Sequence, residues 1–518
     1  MSTRLPSHPD FAQLRRQAKD LRKAHGRGEA EARARVAAVA ELRTLAGSLG
    51  LAQAQFVIAR EHGFPSWAKL KHRLEHEAAT PADLVARFCT AACSGDAAQA
   101  GQILREHPQV AQADIAAACA AGASDVVLRL LRERPELARM QTGPNAWPPL
   151  IWLCWSSVAG AGGREAVVAI ARALIDAGGD ANAGWIVKGD PDWRETALSG
   201  VCSVHRDREL ALVLLRAGAD PNDDDSLYFA YEHRDRGVIE ALLEHGCDLR
   251  RVGLQHQLDW ENPEMLRWLL ERGADPGYGT ARETALHWAI KRGRSREVIE
   301  LLVEHGADVF APIASGGTQF PEIIASTPIE LAIRCLHRDA IEILLARGVS
   351  LAELDPVDRL LLACARGDAA EARRLHAADP DAISRHPALR HQVLACAAAG
   401  GNAAGIELAL ASGCGVDGHG WMGGRPLHQA AMHGLPAIVD LLLHHGAVVD
   451  DIDNAHRTTP LSWACYGSGS GMNPRGDFVS IVERLIAAGS PLPKTLRGTD
   501  EVRAVLRRHG VGDEEHGA

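Results

Sequence analysis

No run of about 18 apolar residues occurs in this chain of 518 residues, the longest uncharged apolar stretch lying near Pro148 to Trp155, so a membrane-spanning helix is excluded on length. The N-terminus is polar where a secretory signal needs an apolar segment, and a soluble cytoplasmic protein is the expectation. Glycine (50) and proline (25) are too scarce for a collagen-like or disordered chain. Paired cysteines are missing too. None of the 11 cysteines forms a Cys-x-x-Cys, and Cys89 with Cys93 has no histidine at ligand spacing, which argues against zinc and dithiol motifs. Phosphate-loop, His-Glu-x-x-His, Gly-x-Ser-x-Gly and calcium-loop patterns are absent. Gly418-His419-Gly420-Trp421-Met422-Gly423 has the glycine spacing of a dinucleotide loop, but no apolar strand precedes it. No catalytic residue, cofactor or metal is therefore expected, and the chain reads as a non-enzyme.

What is present is a long chain with 46% apolar and 24% charged residues, too long for one compact core and suited to several units or an extended array. Its net charge of -10 is unevenly spread: residues 1–80 hold 14 basic and 8 acidic side chains, leaving the remainder at -16. A pattern of Leu-Leu or Leu-Ile, two residues, then Gly and a small residue recurs at Gly178, Gly218, Gly246, Gly273, Gly306, Gly348, Gly413, Gly446 and Gly489. The spacing averages about 35 residues when the step from Gly348 to Gly413 is taken as double, the length of a two-helix unit. Each glycine is placed at a helix C-cap, where φ > 0 is needed.

Start signals precede the caps at Thr284-Ala285-Leu286-His287, Thr327-Pro328-Ile329-Glu330, Arg425-Pro426-Leu427-His428 and Thr459-Pro460-Leu461-Ser462, with Thr as N-cap and Pro in the first turn. From roughly residue 84 to 510 the chain thereby resembles the ankyrin repeat family, most fully at Thr284 to Asp308. The resemblance implies an all-α, ankyrin-type helical solenoid of about 12 repeats, in which each unit contacts its neighbours and the array presents a concave face. It also implies that His287 and His428 hydrogen-bond backbone between repeats. The units at Ser226 to Leu249 and Gln255 to Pro276 lack the start motif, and their short steps predict missing finger hairpins.

Atypical starts at Gly95 and Gly367 divide the chain into a basic helical module (1–80), one lobe (81–352), a second lobe with a C-terminal cap (353–510) and a disordered tail (511–518). The module reads as four short helices, with Gly63 closing the third and Ser66 opening the fourth. Its stretch from Ala59 to Trp67 resembles a helical module that precedes ankyrin arrays in bacterial proteins. Two readings of it are weighed: a capping bundle that buries Trp67, Leu70 and Leu74, or a helix-turn-helix-like contact to DNA or RNA through Lys69, Lys71, His72 and Arg73. Interspersed glutamates disfavour the second, so nucleic acid is not the expected partner.

Eight cysteines (Cys93, Cys119, Cys154, Cys202, Cys335, Cys364, Cys396, Cys465) share one repeat position at the end of the first helix and read as core filler. Trp152, Trp288 and Trp463 likewise share one position and read as packing residues. By contrast Trp185, Trp193 and Trp421 fall in connectors between helix pairs, the finger side of an ankyrin array. With Arg194, Phe310 and Phe320 from the two long connectors, they are the candidate partner-binding residues. The function expected is a non-catalytic scaffold that binds a protein partner with a basic surface through fingers and the concave face. The alternative is a nucleic-acid-linked regulator acting through the basic module. The acids at Asp223 to Asp225 and at Asp450, Asp451 and Asp453 read as solvated turn residues. The insertions Ser156 to Arg164 and Gly467 to Gly476 read as flexible loops.

Overall fold

The structure is a computed structural model that describes residues 11–42, 48–78, 80–187, 190, 193–223, 225–251, 253–278, 283–312, 327–420, 423–453 and 455–512. Contacts divide the chain after Asp180 into two compact units.

The first unit opens with four helices, Phe11–Gly26, Ala30–Ala38, Leu51–Glu61 and Trp67–Ala78. Their apolar stripes close over a core of their own that includes Leu14, Leu21, Val36, Ile58, Leu70 and Leu74, with Trp67 packed against it. Leu70 and Leu74 thus face inward, as a capping bundle requires. Arg35 makes a two-pronged pair with Glu61, both bonds 2.7 Å, so part of the basic charge is neutralised within the module. Three helix pairs follow: Pro81–Cys93 with Ala97–Glu106, Ile115–Ala120 with Ser124–Glu133, and Pro149–Cys154 with Arg164–Asp176. Thr80 starts the first of these through a reciprocal cap, its Oγ1 accepting from Asp83 N (3.1 Å) while Thr80 N donates to the Asp83 carboxylate (2.9 Å). Trp152 is fully buried, its indole donating to Thr142 O at 3.0 Å.

The loop from Ser156 to Arg164 is not the flexible segment expected. Ser156 is 1% exposed, donates to Ala120 O at 2.6 Å and accepts from Val158 N and Ala159 N, so a buried hydroxyl ties it to the preceding repeat.

Among its described residues the second unit stacks nine helix pairs, from Ala197–Gly200 with Arg208–Arg216 to Pro460–Ser470 with Phe478–Ala487, followed by the helix Asp500–Arg508. One first helix is reduced to a 3-10 turn, Leu254–Asp259. With the three pairs before Asp180, this is the all-α repeat fold inferred from the spacing. All nine cap glycines take positive φ, from 80 to 100°. The strands among the described residues are β1 (Gly184–Ile186) and β2 (Arg194–Thr196), an antiparallel hairpin that pairs Trp185 with Glu195. The two short repeats have no strand among their described residues.

The contacts group the chain differently from the division placed at residue 353. Residues on both sides of it lie in the second unit, and Arg334 clamps Asp358 across it at 2.8 and 2.7 Å. Asn402 donates to both Leu336 O and Ala365 O. At the atypical start Asp355 caps the helix Pro356–Arg366, accepting from Asp358 N at 2.8 Å.

All eleven cysteines are free thiols and nine are buried. Burial pushes Cys93 up to about 12 and Cys364 and Cys465 to about 11. Cys396 departs from the core-filler pattern: a hydrogen bond from Cys335, with Lys291 and Arg292 nearby, holds its thiol below the ordinary value.

Candidate functional site

Two edges of the array carry unusual chemistry: the fingers, which join the second helix of one repeat to the first of the next, and the turns between the two helices of each repeat.

The best-formed described finger is the β1–β2 hairpin. Beyond the paired strands Val187 N donates to Trp193 O (2.9 Å), which extends the pairing by one position, and Trp193 N donates to Asp190 O (3.2 Å) in a turn bond. Trp193 is 46% exposed and its indole donates to Asp225 Oδ2 at 2.8 Å, which fixes the ring on the neighbouring connector. Trp185 is half-buried. Arg194 is exposed and donates to Asn182 O at 2.6 Å. Phe310 stands on a different finger, 60% exposed, its backbone N–H held by Asp308 Oδ1. Phe320 and Trp421 lie outside the described residues, as does the tail from residue 513. The described candidate residues therefore fall on one hairpin, which carries Trp185, Trp193 and Arg194, and on one separate finger, which carries Phe310.

Beneath the hairpin Asp223 and Asp225, two of the acids expected to be solvated, are structural, and Asp224 lies outside the described residues. Asp223 accepts from Thr196 Oγ1 and Ser226 N, and Glu195 is only 6% exposed. Burial, then the charges of Asp225 and Asp223, push the Glu195 carboxyl up to about 7 against the hydrogen bond from Ser199. A raised folded-state value means that the folded protein holds this proton more tightly. The stability contributed is therefore fully present below the ordinary carboxyl value of 4.5 and is lost as pH rises through about 7. Glu195→Gln, which mimics the protonated form, is expected to raise the melting temperature by a few degrees at pH 8 and to change it little at pH 5, measured by calorimetry on the full chain. Equal shifts at both pH values would show that Glu195 is charged in the fold at both. In the last finger, Asp453 (1% exposed) accepts from His456 N, Thr458 N and Trp463 Nε1. His428 reaches Thr458 O at 3.2 Å, the inter-repeat bond its motif implied.

At the opposite edge, turns far apart in sequence meet. Arg234 donates to Ser470 O at 2.8 Å, Glu261 N to Met472 O at 3.1 Å, and Asn473 Nδ2 to His433 O at 2.8 Å. Met432, Trp463 and Met472 form a buried apolar cluster that Trp260 packs against, and Arg234 stacks on the Trp260 ring at 5.3 Å. Arg234 has φ +55° at a turn position where Gly293, Gly401 and Gly434 serve in other repeats. Its side-chain contacts give a reason for keeping arginine despite a backbone cost of about 1 kcal/mol or more. The segment Gly467 to Gly476, expected to be a flexible loop, instead begins as the last turn of the helix Pro460–Ser470 and continues as a packed turn, with Met472 3% exposed.

The same edge holds a buried ionic network. Lys291 pairs with Glu283 at 2.5 Å, their side chains 5% and 3% exposed. Arg292 pairs with Asp259 at 2.8 Å, and Trp288 donates to the same carboxylate at 3.0 Å while Lys291 and Arg292 lie over its ring. Arg294 is 2% exposed. In the sequence, Lys291-Arg292-Gly293-Arg294 looks like a solvated basic turn. Only the crossing of other turns over it makes it interior. Among the described residues no group of three or more His, Cys, Asp or Glu is arranged to hold a metal ion, and no helix is long and apolar enough to cross a membrane.

Residues 255–355 and 360–453 match the family model for ankyrin repeats (3 copies). Over 132 residues the chain is 35% identical to Ankyrin repeat and SOCS box protein 6 of Pongo abelii and of Homo sapiens, covering 22% of this chain and 31% of each relative. It therefore spans about a third of the length of the curated relatives it matches. Among solved structures it is similar to the human ASB11 ankyrin repeat domain, with 21% identity, a TM-score of 0.22, and coverage of 51% of this chain and 98% of that one. Ankyrin repeat domains generally mediate protein–protein interaction.

Proposed function

We propose that this chain is a non-catalytic, cytoplasmic scaffold that recruits a protein partner with a basic surface along its fingers and concave face. One observation carries the reading. Of ten large apolar side chains exposed among the described residues, eight (Met140, Ile186, Trp193, Tyr278, Phe310, Val448, Ile452 and Leu492) sit on connectors between repeats, and only Leu128 and Tyr466 lie elsewhere. Scattered exposed apolar residues are ordinary on a soluble protein, but their concentration at one type of position is not. An aromatic anchor contributes when the partner desolvates it, typically by about 2 kcal/mol or more. The acidic body, -16 outside residues 1–80, would speed association with a basic partner and add less to the lifetime of the complex.

The test is affinity purification from the source cell, with mass spectrometry, using the full chain and the Trp193→Ala/Phe310→Ala double variant. Specific partners are expected to fall at least tenfold in the variant, with an unchanged circular dichroism spectrum. Partners retained at the original level would remove the fingers from the interface.

A further inference from the structure

Among the turns that converge in the second unit lies a cavity of about 180 Å³. Its walls include Glu261, Arg294, Ser295, His433, Asn473 and Arg475, drawn from four different repeats. Two of these side chains are almost wholly buried, Arg294 at 2% and His433 at 3% exposure, and each brings an atom without a hydrogen-bond partner among the described residues: Arg294 Nη1 and His433 Nε2.

The hydrogen bonding around them defines what each atom demands. The Nε and Nη2 groups of Arg294 both donate to Arg292 O, at 3.1 and 2.6 Å, and Nη1 stands 4.0 Å from Glu261 Oε2, too far for a hydrogen bond. A buried guanidinium N–H left in this state is costly. His433 Nδ1 lies 2.9 Å from Gln429 O, and a carbonyl can only accept, so Nδ1 carries the proton and Nε2 presents a lone pair. Burial and then the Arg294 charge hold His433 down at about 3, so the ring stays neutral at physiological pH. Asn473 is committed, its Nδ2 to His433 O and its Oδ1 to Arg475 N, which holds the rim. Arg475 itself is exposed there.

The cavity therefore offers two cations, Arg294 within and Arg475 at the rim, beside two acceptors, the Glu261 carboxylate and the His433 lone pair. A simple anion satisfies the first pair and meets the carboxylate; a simple amine does the reverse. We infer that this cavity binds a small zwitterion carrying both a carboxylate and an ammonium group, of the size and chemistry of a free amino acid, with the carboxylate on Arg294 and Arg475 and the ammonium on Glu261 and His433. The volume agrees: about 180 Å³ compares with roughly 150 Å³ for a protein cavity that takes up benzene, a ligand of similar size to a small amino acid. Because the walls come from repeats 261–295 and 433–475, occupancy would also tie those repeats together.

The experiment is thermal unfolding of the full chain with each of the twenty L-amino acids at about 10 mM, beside inorganic phosphate, a deaminated carboxylate and a decarboxylated amine. At least one amino acid is expected to raise the melting temperature in a saturable way, while its carboxylate-only and amine-only counterparts do not. Arg294→Met should abolish the shift. The exposed Arg475→Ala, which leaves the core intact, should weaken apparent affinity at least tenfold. Stabilisation by phosphate with none by amino acids would make the cavity an oxyanion site and overturn the inference. So would the absence of a shift with any amino acid, or an affinity that Arg475→Ala leaves unchanged.

Discussion

Gly293→Ala is expected to destabilise the second unit by about 4 kcal/mol or more, against about 1–2 kcal/mol for Gly306→Ala. Both glycines have positive φ, +61° and +97°, so both variants carry the cost of a Cβ in the left-handed region. They differ in what the Cβ meets. At Gly306 nothing lies within 4 Å, whereas at Gly293 the new atom would stand 2.4 Å from Gly400 N, 2.5 Å from Gly400 Cα and 2.6 Å from Ala399 C. All three are backbone atoms, so no rotamer change relieves the overlap, and two repeats must move apart. The difference between the variants, read from urea unfolding of the full chain, isolates the close approach of two turns separated by about a hundred residues. If the two substitutions cost the same, those turns do not touch in solution, and the cavity beside them loses its walls.

The second large effect is expected at the buried Lys291–Glu283 pair. Lys291→Met alone leaves a carboxylate that is 3% exposed and whose Oε1 already finds no hydrogen-bond partner among the described residues, and should cost about 3–5 kcal/mol. Glu283→Leu alone leaves the ammonium buried, with the Trp288 ring 5.0 Å away and Arg292 adding like charge, and should cost a similar amount. Removing both charges restores an uncharged interior, so the double variant is expected within about 1–2 kcal/mol of the original protein. The sign of the non-additivity is the decisive reading. Strictly additive single costs would mean that both groups reach water and do not pair.

These experiments probe the part of the molecule that was least legible beforehand. The nine cap glycines, the Thr and Pro starts, the shared cysteine position and the burial of Trp152, Trp288 and Trp463 all follow from signals that repeat within a few tens of residues. Helix capping and stacking on the next repeat are local, so the same residue types recur wherever the same local geometry recurs. The finger residues were partly legible for the same reason. A tryptophan in a polar connector is conspicuous, and Trp193 is exposed, yet its anchoring to Asp225 across 32 positions leaves no periodic trace. The segments Ser156 to Arg164 and Gly467 to Gly476 are glycine-rich, which in a sequence reads as mobility, yet both are packed. In the second, glycines serve close approach: a Cβ on Gly467 would lie 2.2 Å from Met432 O and one on Gly476 2.7 Å from the Phe478 ring, whereas in the first Gly160 and Gly163 meet nothing within 4 Å and the buried Ser156 hydroxyl does the holding. Likewise Gly418 and Gly420 serve close packing, since a Cβ on Gly418 would overlap His391 O and one on Gly420 would stand 2.5 Å from Ala395 Cβ.

The sequence alone thus determined the repeat unit, the handling of helix ends, which face of each helix is buried, and the uneven charge, because each is decided by neighbours one or two helices away. Tertiary structure alone decided that the basic turn at Lys291 to Arg294 is interior, that Asp259, Glu261 and Glu283 are its counter-charges, and that Arg234 reaches Ser470 across 236 residues. Small rotations between successive repeats accumulate over the array, and no residue encodes their sum. Where turns meet at the end of that accumulation, groups that would be solvated in any single repeat lose their water and must find partners in each other.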